Sequence, residues 1–524
     1  MDTRRFSAHG TRSKARRRCS ACMLAVFATM SLVAQPALAD NVPLPQSRPK
    51  SPKPQSRPKS PTMPTATSLP RSARPATSDV SLSLADAIFL GLRGNRAIKS
   101  AHIVRIAEKF DLRVAEDAFT PHFGIAGETA RNRIAGVHST TIDVSPGVTA
   151  LTPTGATFDF SWNTSATDTD GRRTASSAAD ISVVQPLLRG AGIDVNLAPV
   201  RSARLGELIA RLRLKATVSE TVGQIIFAHR DLLLAQEELK LAEAAVARAQ
   251  NLLAINRALI AAGRMASVEA VQTEADVESQ RLRVLRARQQ VEAARLALAN
   301  LLALDLGTPL VAGESLRPAA VTLKLPSLMA TALARRPDYM GQVHVVEQNR
   351  LGITVAQNEQ LWDLAVFARG RFGREYADIL PSRSISDITV GLRFDGPIND
   401  LRPKQRLVHA TTGLQGAEIH LIDIRQGIEM QIRGSMSEIN TLWQQLAIAE
   451  KARDLANRAV EIEKDKLNAG RSRTLQVRQL EDSLREAERS LLSAKIGYLN
   501  ALTRLDLQLG TTLETWKVDL KDSP

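Results

Sequence analysis

The chain has 524 residues, a formal net charge of +15 at pH 7 and two cysteines. Its length exceeds one ordinary domain, and its basic balance raises the possibility of a nucleic-acid partner. The position of the charge removes that reading, because +6 falls on residues 1–39 and +5 on residues 40–79, leaving +4 on the other 445.

At the N-terminus, Arg4, Arg5, Arg12, Lys14, Arg16, Arg17 and Arg18 precede "ACMLAVFATMSLVA", and "ALAD" offers a cleavage site after Ala39. A basic start, an apolar run of about 14 residues and a small-residue site predict a cleaved export signal over 1–39. A membrane-spanning anchor would need roughly 20 apolar residues. Cys19 and Cys22 both lie inside this signal, so the exported chain is expected to hold no thiol, disulfide or Cys metal site. Cys22 stands at the start of the apolar run instead of following it, so the mature N-terminus near Asp40 is expected to be unlipidated. Residues 40–79 contain the tandem repeat "PQSRPKSPK" and "PQSRPKSPT". With hardly an apolar side chain to bury, they predict a Pro-rich, basic, disordered tether.

The body reads as two copies of one unit, 80–310 and 327–512, joined by a connector at 311–326 and followed by a tail at 513–524. "LRGNRAI" and "LARRPDY" open the copies 241 residues apart, and Pro186 and Pro397 lie 211 apart. The drop between these offsets places about 30 extra residues in the first copy's alternating region. Ala-Gly-Arg recurs at Gly263 and Gly470, 207 apart, and Leu-Gly-Thr closes each copy at Gly307 and Gly510. Each copy thus predicts helix, extended hairpin, long helix, interruption, helix.

The long helices carry a seven-residue period. In the first copy it runs through Val218, Ile225, Leu232, Leu239, Val246, Leu253 and Ile260, and in the second through Ile432, Ile439, Leu446, Arg453, Val460 and Leu467. Such a period predicts coiled-coil packing. A helix from about Pro199 to Ala262 would span ~95 Å, and its charges exclude a membrane span. Shorter helices are expected over about 82–119 and 266–305. At each interruption the glycine is a helix stop and Ser267 or Thr474 a candidate cap for the returning helix.

The alternating segments are of another kind. Phe158, Phe160 and Trp162, then Leu364, Val366 and Ala368, then Ile388, Val390, Leu392 and Phe394 each alternate with mostly polar residues. This predicts strands with one apolar face, which in an exported chain meets a core or lipid. With most of the chain spent on coiled helices, lipid is the expected neighbour. A sheet with open edges cannot stand in hydrocarbon, so closure by oligomerisation is expected.

Together "SLADAIFLGLRGNRAI", "ATALARRPDYMGQVHVVEQN", "VVQPLLRGAG", the two Ala-Gly-Arg interruptions and the closing Leu-Gly-Thr pairs resemble the TolC-like outer-membrane factors, over about residues 81–512. The resemblance implies a mainly α fold with a β-barrel portion: a homotrimer, four barrel strands per subunit in outer-membrane lipid, and a twelve-helix tunnel across the periplasm. It implies an exit duct for small-molecule efflux or type I protein secretion, partnered by a periplasmic adaptor and an inner-membrane pump. Gly263, Arg264, Ser267, Val268 and Glu269, with Gly470, Arg471, Thr474 and Leu475, would form adaptor-docking tip turns, and Pro186 and Pro397 the strand-to-helix joints.

Some residues depart from the family's pattern. Glu269 supplies the acid usual six residues after the first tip glycine, but the second copy has Gln476 there and Gln479 three further on, with Arg471 and Arg473 nearby. A more basic mouth is expected. The proline after the opening helix is present as Pro121 and is replaced near Trp362, and many relatives are lipoproteins.

Catalytic signatures are wanting: there is no Gly-x-x-x-x-Gly-Lys, His-Glu-x-x-His or Gly-x-Ser-x-Gly. "GAGIDVN" at 190 reads as a joint, not a dinucleotide loop, and His122, His229 and His409 read as surface or packing residues. No enzyme, cofactor, metal or nucleic-acid partner is expected. The competing reading is a periplasmic coiled-coil spacer or adaptor without a pore, which leaves the apolar-faced strands unexplained.

Overall fold

Ser83 ends a short strand, β1 (Val80–Ser83), and its hydroxyl oxygen accepts from the Asp86 N–H at 3.2 Å, which starts α1 (Leu84–Gly94). A side-chain oxygen at this position satisfies one of the donors a helix start leaves unpaired. The computed structural model describes residues 80–518 except Ile379, Pro397 and Gly470. The expected signal, the tether, Pro397, Gly470 and residues 519–524 lie outside the described residues.

The opening helix expected over 82–119 is two helices, α1 and α2 (Arg96–Asp117). Asn95 breaks it by turning its side-chain oxygen to the N–H groups of Ala97 (2.8 Å) and Ile98 (3.4 Å), while its amide donates to the Leu301 carbonyl at 3.0 Å. Local capping thus outcompetes helix continuation. After α2 come four antiparallel strands, β2 (His122–Ile134), β3 (Val137–Leu151), β4 (Thr157–Thr169) and β5 (Arg172–Pro186). A single turn, α3 (Ile193–Asn196), leads into α4 (Ala198–Ala261), whose 64 residues span ~95 Å at 1.5 Å each. The chain returns through α5 (Val268–Leu301) to β6 (Leu310–Gly313), which pairs in parallel with β1.

The second copy repeats this order. α6 (Leu325–Arg335) and α7 (Pro337–Asn358) are again separated by one residue, Arg336, 241 positions after Asn95. β7 (Asp363–Ala377) and β8 (Leu380–Asp395) form one hairpin, followed by α8 (Arg402–Asn468, 67 residues), α9 (Thr474–Leu509) and the short α10 (Thr512–Thr515).

The sheet order is β2-β3-β4-β5-β7-β8, six strands in all. The four strands implied by the resemblance are therefore exceeded by one hairpin. The physical reason is the first copy's extra length of about 30 residues: it is taken up by β2 and β3, which pair along their whole length.

Heptad side chains form the centre of each helical layer. Val218, Ile225 and Leu232 are buried with residues of α1, α5, β1 and β6, and Ile432 and Ile439 with Tyr498, Ala501 and Leu505 of α9. The period fails at Arg453, which is exposed. His229 is fully buried and its Nε2 lies 3.0 Å from the Leu82 carbonyl, so it is a packing residue; His122 and His409 are exposed. Next to it, the buried Arg230 donates to Thr503 (2.9 Å) and Asn500 (3.3 Å) of α9 and reaches Glu314 at 3.4 Å. A buried guanidinium needs such partners, and here they tie the first copy's long helix to the second copy.

Candidate functional site

At the end of α4 Gly263 takes φ 68°, the left-handed conformation that glycine adopts without penalty. The Gly263 N–H donates to the Ile260 carbonyl (2.9 Å) and the Arg264 N–H to the Leu259 carbonyl (2.9 Å), which closes the helix. The second copy repeats the outer bond, from the Arg471 N–H to the Lys466 carbonyl at 2.8 Å. Arg264 and Arg471 are both exposed, and so are Val268 (56%) and Leu475 (48%) at the starts of the returning helices. Both pairs are 207 residues apart, so the two interruptions carry one exposed cation and one exposed apolar side chain at matching sequence positions.

The same offset corrects the expected pairing of Gly307 with Gly510. The residues that end α5 and α9 in the left-handed conformation are Ala303 (φ 54°) and Gly510 (φ 71°), 207 apart. Leu304 N–H to Ala299 (3.0 Å) and Thr511 N–H to Asp506 (3.1 Å) close them alike.

The candidate caps behave differently from expectation. Ser267 holds the cap position of α5 but makes no side-chain capping bond. Thr474 is the first residue of α9 rather than its cap, and it is buried. Its hydroxyl donates to the Asn256 side-chain oxygen at 3.1 Å, the Asn256 amide donates to the Thr273 hydroxyl at 2.8 Å, and that hydroxyl donates to the Glu269 carbonyl at 2.8 Å. This closed chain of buried groups joins α4, α5 and α9. Nothing in the local sequence announces it, since Asn256 and Thr474 are 218 positions apart.

The residue that matches Asn256 in the second copy is Glu463, 207 later. It accepts from the Ser472 hydroxyl at 2.5 Å and from the Lys466 ammonium at 3.1 Å. The Ser472 hydrogen bond and, after it, Lys466 hold its carboxyl below the ordinary value of 4.5. One turn is therefore fixed by neutral amide and hydroxyl groups and the other by a charge.

At the other end of the long helices, Pro186 closes β5 opposite Ala365. Beyond it Gly190 (φ 81°) and Gly192 (φ 103°) make the bend into α3, and the Asn196 amide donates to both their carbonyls at 2.8 Å. The Gly190 N–H in turn donates to Asn358 of α7 at 2.7 Å. A Cβ on Gly155 would come within 2.2 Å of the Gly190 carbonyl, so the β3–β4 turn rests directly on this joint.

The strand registers give the sheet two unlike faces. One carries Ile125, Val144, Val148, Phe160, Trp162, Ile181, Val366, Phe372, Val390 and Leu392, and toward the hairpin tips Arg131, Arg133, Asp168, Arg173 and Arg374; the other carries Glu128, Asp143, Asp159, Asp180, Arg369, Arg371 and Asp387. Asp180 accepts from Asn163 at 2.6 Å and lies 3.9 Å from Arg371 across β5–β7. Among the described residues no helix is long and apolar enough to cross a membrane, which says nothing of such a sheet.

Residues 90–304 match the family model described as outer membrane efflux protein. The described chain also shares its fold with solved outer-membrane channels. The CmeC outer membrane channel of Campylobacter jejuni is 17% identical, with a TM-score of 0.62 over 82% of this chain and 86% of that one. The outer membrane protein VceC of Vibrio cholerae is 16% identical, with a TM-score of 0.63 over 82% and 96%. The MtrE outer membrane channel of Neisseria gonorrhoeae, in its open state, is 17% identical, with a TM-score of 0.62 over 82% and 89%. Among curated proteins none matches the sequence. The resemblance read from the sequence therefore holds, by family model in the first copy and by fold over both.

Proposed function

We propose that this chain is the outer-membrane exit duct of a tripartite export system. In this reading it conducts small-molecule efflux substrates passively from periplasm to exterior when an adaptor and an inner-membrane pump open it. The observation that carries the reading is a sheet with an apolar band across one face and two unpaired edges, joined end-on to helices of 64 and 67 residues. The apolar face suits lipid, the charged face suits water, and the helices are long enough to reach far from the membrane. Unpaired edges call for further copies, and three is the number the resemblance implies. Helix surfaces left uncovered in one copy support such assembly: Ile448, Leu455 and Ile462, seven apart on α8, are exposed, as are Ile103, Ile106 and Phe110 on α2.

In this proposal the turns at Gly263–Glu269 and Gly470–Leu475 are the far end of the tunnel, where an adaptor docks on Arg264 with Val268 and on Arg471 with Leu475. Energy for transport comes from the pump, and the cargo is what the pump delivers. Cysteines at Arg264 and Arg471 should capture a periplasmic adaptor in cells, and the purified protein should conduct in planar bilayers. Recovery in the soluble periplasm without detergent, with no conductance, would overturn the reading in favour of a pore-free spacer. Capture at mid-helix positions but at neither arginine would move the docking site.

A further inference from the structure

We infer that the β2–β3 hairpin is part of the lipid-facing wall, so that the closed barrel has six strands from each copy and eighteen in all. The inference rests on the trimeric reading above, and goes beyond it by fixing which edges meet and how wide the barrel is.

Three observations carry it. First, the hairpin is full height. β2 and β3 have 13 and 15 residues, matching 13 and 15 in β4 and β5 and 15 and 16 in β7 and β8. Its tip, Ala135-Gly136 (φ 51° and 85°), is the same kind of two-residue turn as Asp170-Gly171 (φ 47° and 84°). The tips stand level: Asp170 N–H donates to the His138 carbonyl at 3.0 Å, and His138 N–H to the Asp170 carboxylate at 3.1 Å. Arg173 and Asp378 link the next two hairpins along the same rim.

Second, the hairpin continues both faces. Phe123 lies opposite Val148, and its row runs on through Phe160, Ile181 and Gly370 to Ile388, so an apolar band crosses from β8 to β2; Arg131 and Arg133 share this face only near the tip, beside Asp168 and Arg173 of the next hairpin. Glu128 and Asp143 continue the charged face. A hairpin folded into the lumen, or standing clear as a surface loop, has no physical reason to carry this sidedness.

Third, the edges match. The least covered apolar residues of the sheet are at its two ends, Phe123 (83%) and Ile125 (77%) on β2 and Ile388 (73%) and Val390 (70%) on β8. An even number of antiparallel strands makes β8 of one copy antiparallel to β2 of the next, so closure leaves no edge in hydrocarbon. Adding a whole hairpin preserves that parity, whereas a single added strand would not.

Eighteen strands at a spacing of about 4.8 Å and a tilt of about 40° close at a backbone diameter of about 36 Å, against about 24 Å for twelve. The cross-section is then about twice as large. The barrel admits wider cargo than a twelve-stranded one would, and selection by size falls to the helical end.

The test uses the full-length protein in outer membranes, with Cys19 and Cys22 replaced by serine. Cysteines are introduced on the charged face in pairs: Ala126→Cys or Ala130→Cys on β2 with Asp387→Cys or Thr389→Cys on β8. Within one copy these edges are five strand spacings apart, about 24 Å along the sheet, far beyond disulfide reach. Oxidation should therefore link copies only, giving a ladder that ends at three, and end-on projections by electron microscopy should give the wider barrel. Linkage from Ser161→Cys or Ser165→Cys on β4 to the β8 cysteines, with none from β2 in any pair, would overturn the inference while keeping the trimer. A β2–β8 ladder that ends at two copies would overturn the trimer and with it the count of eighteen.

Discussion

The Thr474 hydroxyl donates to the Asn256 side-chain oxygen across 3.1 Å, and through this bond the first residue of α9 is attached to the buried seam of α4. Asn256 is fully buried and saturates its other side by donating to Thr273. Met265, Leu252, Leu467 and Val477 pack together nearby.

Removing Asn256 should loosen the turns. Asn256→Ala takes the acceptor from the Thr474 hydroxyl and a donor from the Thr273 hydroxyl, which keeps its bond to the Glu269 carbonyl, and opens a gap between them; an unsatisfied buried group costs about 1–3 kcal/mol. Thr474→Val removes one donor and keeps the shape, so the smaller effect is expected. Thermal dissociation in detergent should fall in the order wild type, Thr474→Val, Asn256→Ala, and spontaneous opening in bilayers should rise in the same order. Equal behaviour of all three would mean that the polar chain contributes no restraint.

Left-handed positions give a second, graded prediction. A Cβ on Gly263 meets open space, so Gly263→Ala should cost only the backbone strain of ~1–2 kcal/mol. A Cβ on Gly510 would come within 2.8 Å of the Arg335 carbonyl, so Gly510→Ala should cost more. Ala303 already bears this strain at φ 54°, and Ala303→Gly should stabilise by about 1 kcal/mol or less. Melting temperatures of the three variants check the order.

These residues also mark how far the fold could be read in advance. The long helices were legible because Val218 to Ile260 repeat every seven residues, a signal that survives any choice of neighbour. The break at Asn95 was less so: Gly94-Asn95 is a local stop signal and Asn95 caps Ala97 and Ile98, but the helical spacing resumes at once, and the Asn95 bond to Leu301, 206 residues on, has no local sign. β4, β7 and β8 announced themselves through large alternating side chains. β2 and β3 hold Gly, Thr, Ser and Asn on both faces, so their surplus length was visible and their pairing was not. At the candidate site, Gly263 was legible as a turn. The roles of Asn256 and Glu463 were not, since a lone polar residue in a seam has no local signature of its partner.

The charge at the second turn predicts a pH dependence. Hydrogen bonds from Ser472 and Lys466 lower the Glu463 carboxyl from 4.5. A lowered acid contributes stability that is complete above its unfolded value and lost as pH falls through its folded value. Wild-type channels should therefore open more often in bilayers as pH drops below about 4.3. Glu463→Gln should open more often already at pH 7 and change less with acid. If both respond to acid alike, Glu463 is not the group that titrates.

The two faces of the sheet give the last prediction, because adjacent residues of β4 should respond oppositely to the same substitution. Trp162 lies on the apolar face and donates from its indole N–H to the Ser177 hydroxyl at 3.1 Å, so it is paired even where it meets hydrocarbon. Trp162→Arg puts a charge there, which costs about 2–4 kcal/mol near the bilayer midplane and less toward its borders. Assembly into heat-resistant oligomers in the outer membrane should fall. Ser161 lies on the charged face, in the row that contains Asp180 and Arg371. Ser161→Arg keeps its charge in water, so assembly should persist, and the added cation should shift the open channel toward anions. Reversal potentials in asymmetric salt, read on tip-loosened Asn256→Ala channels so that the far end does not limit the current, would measure the shift. Loss of assembly with Ser161→Arg but not with Trp162→Arg would mean that the sheet faces the membrane the other way round.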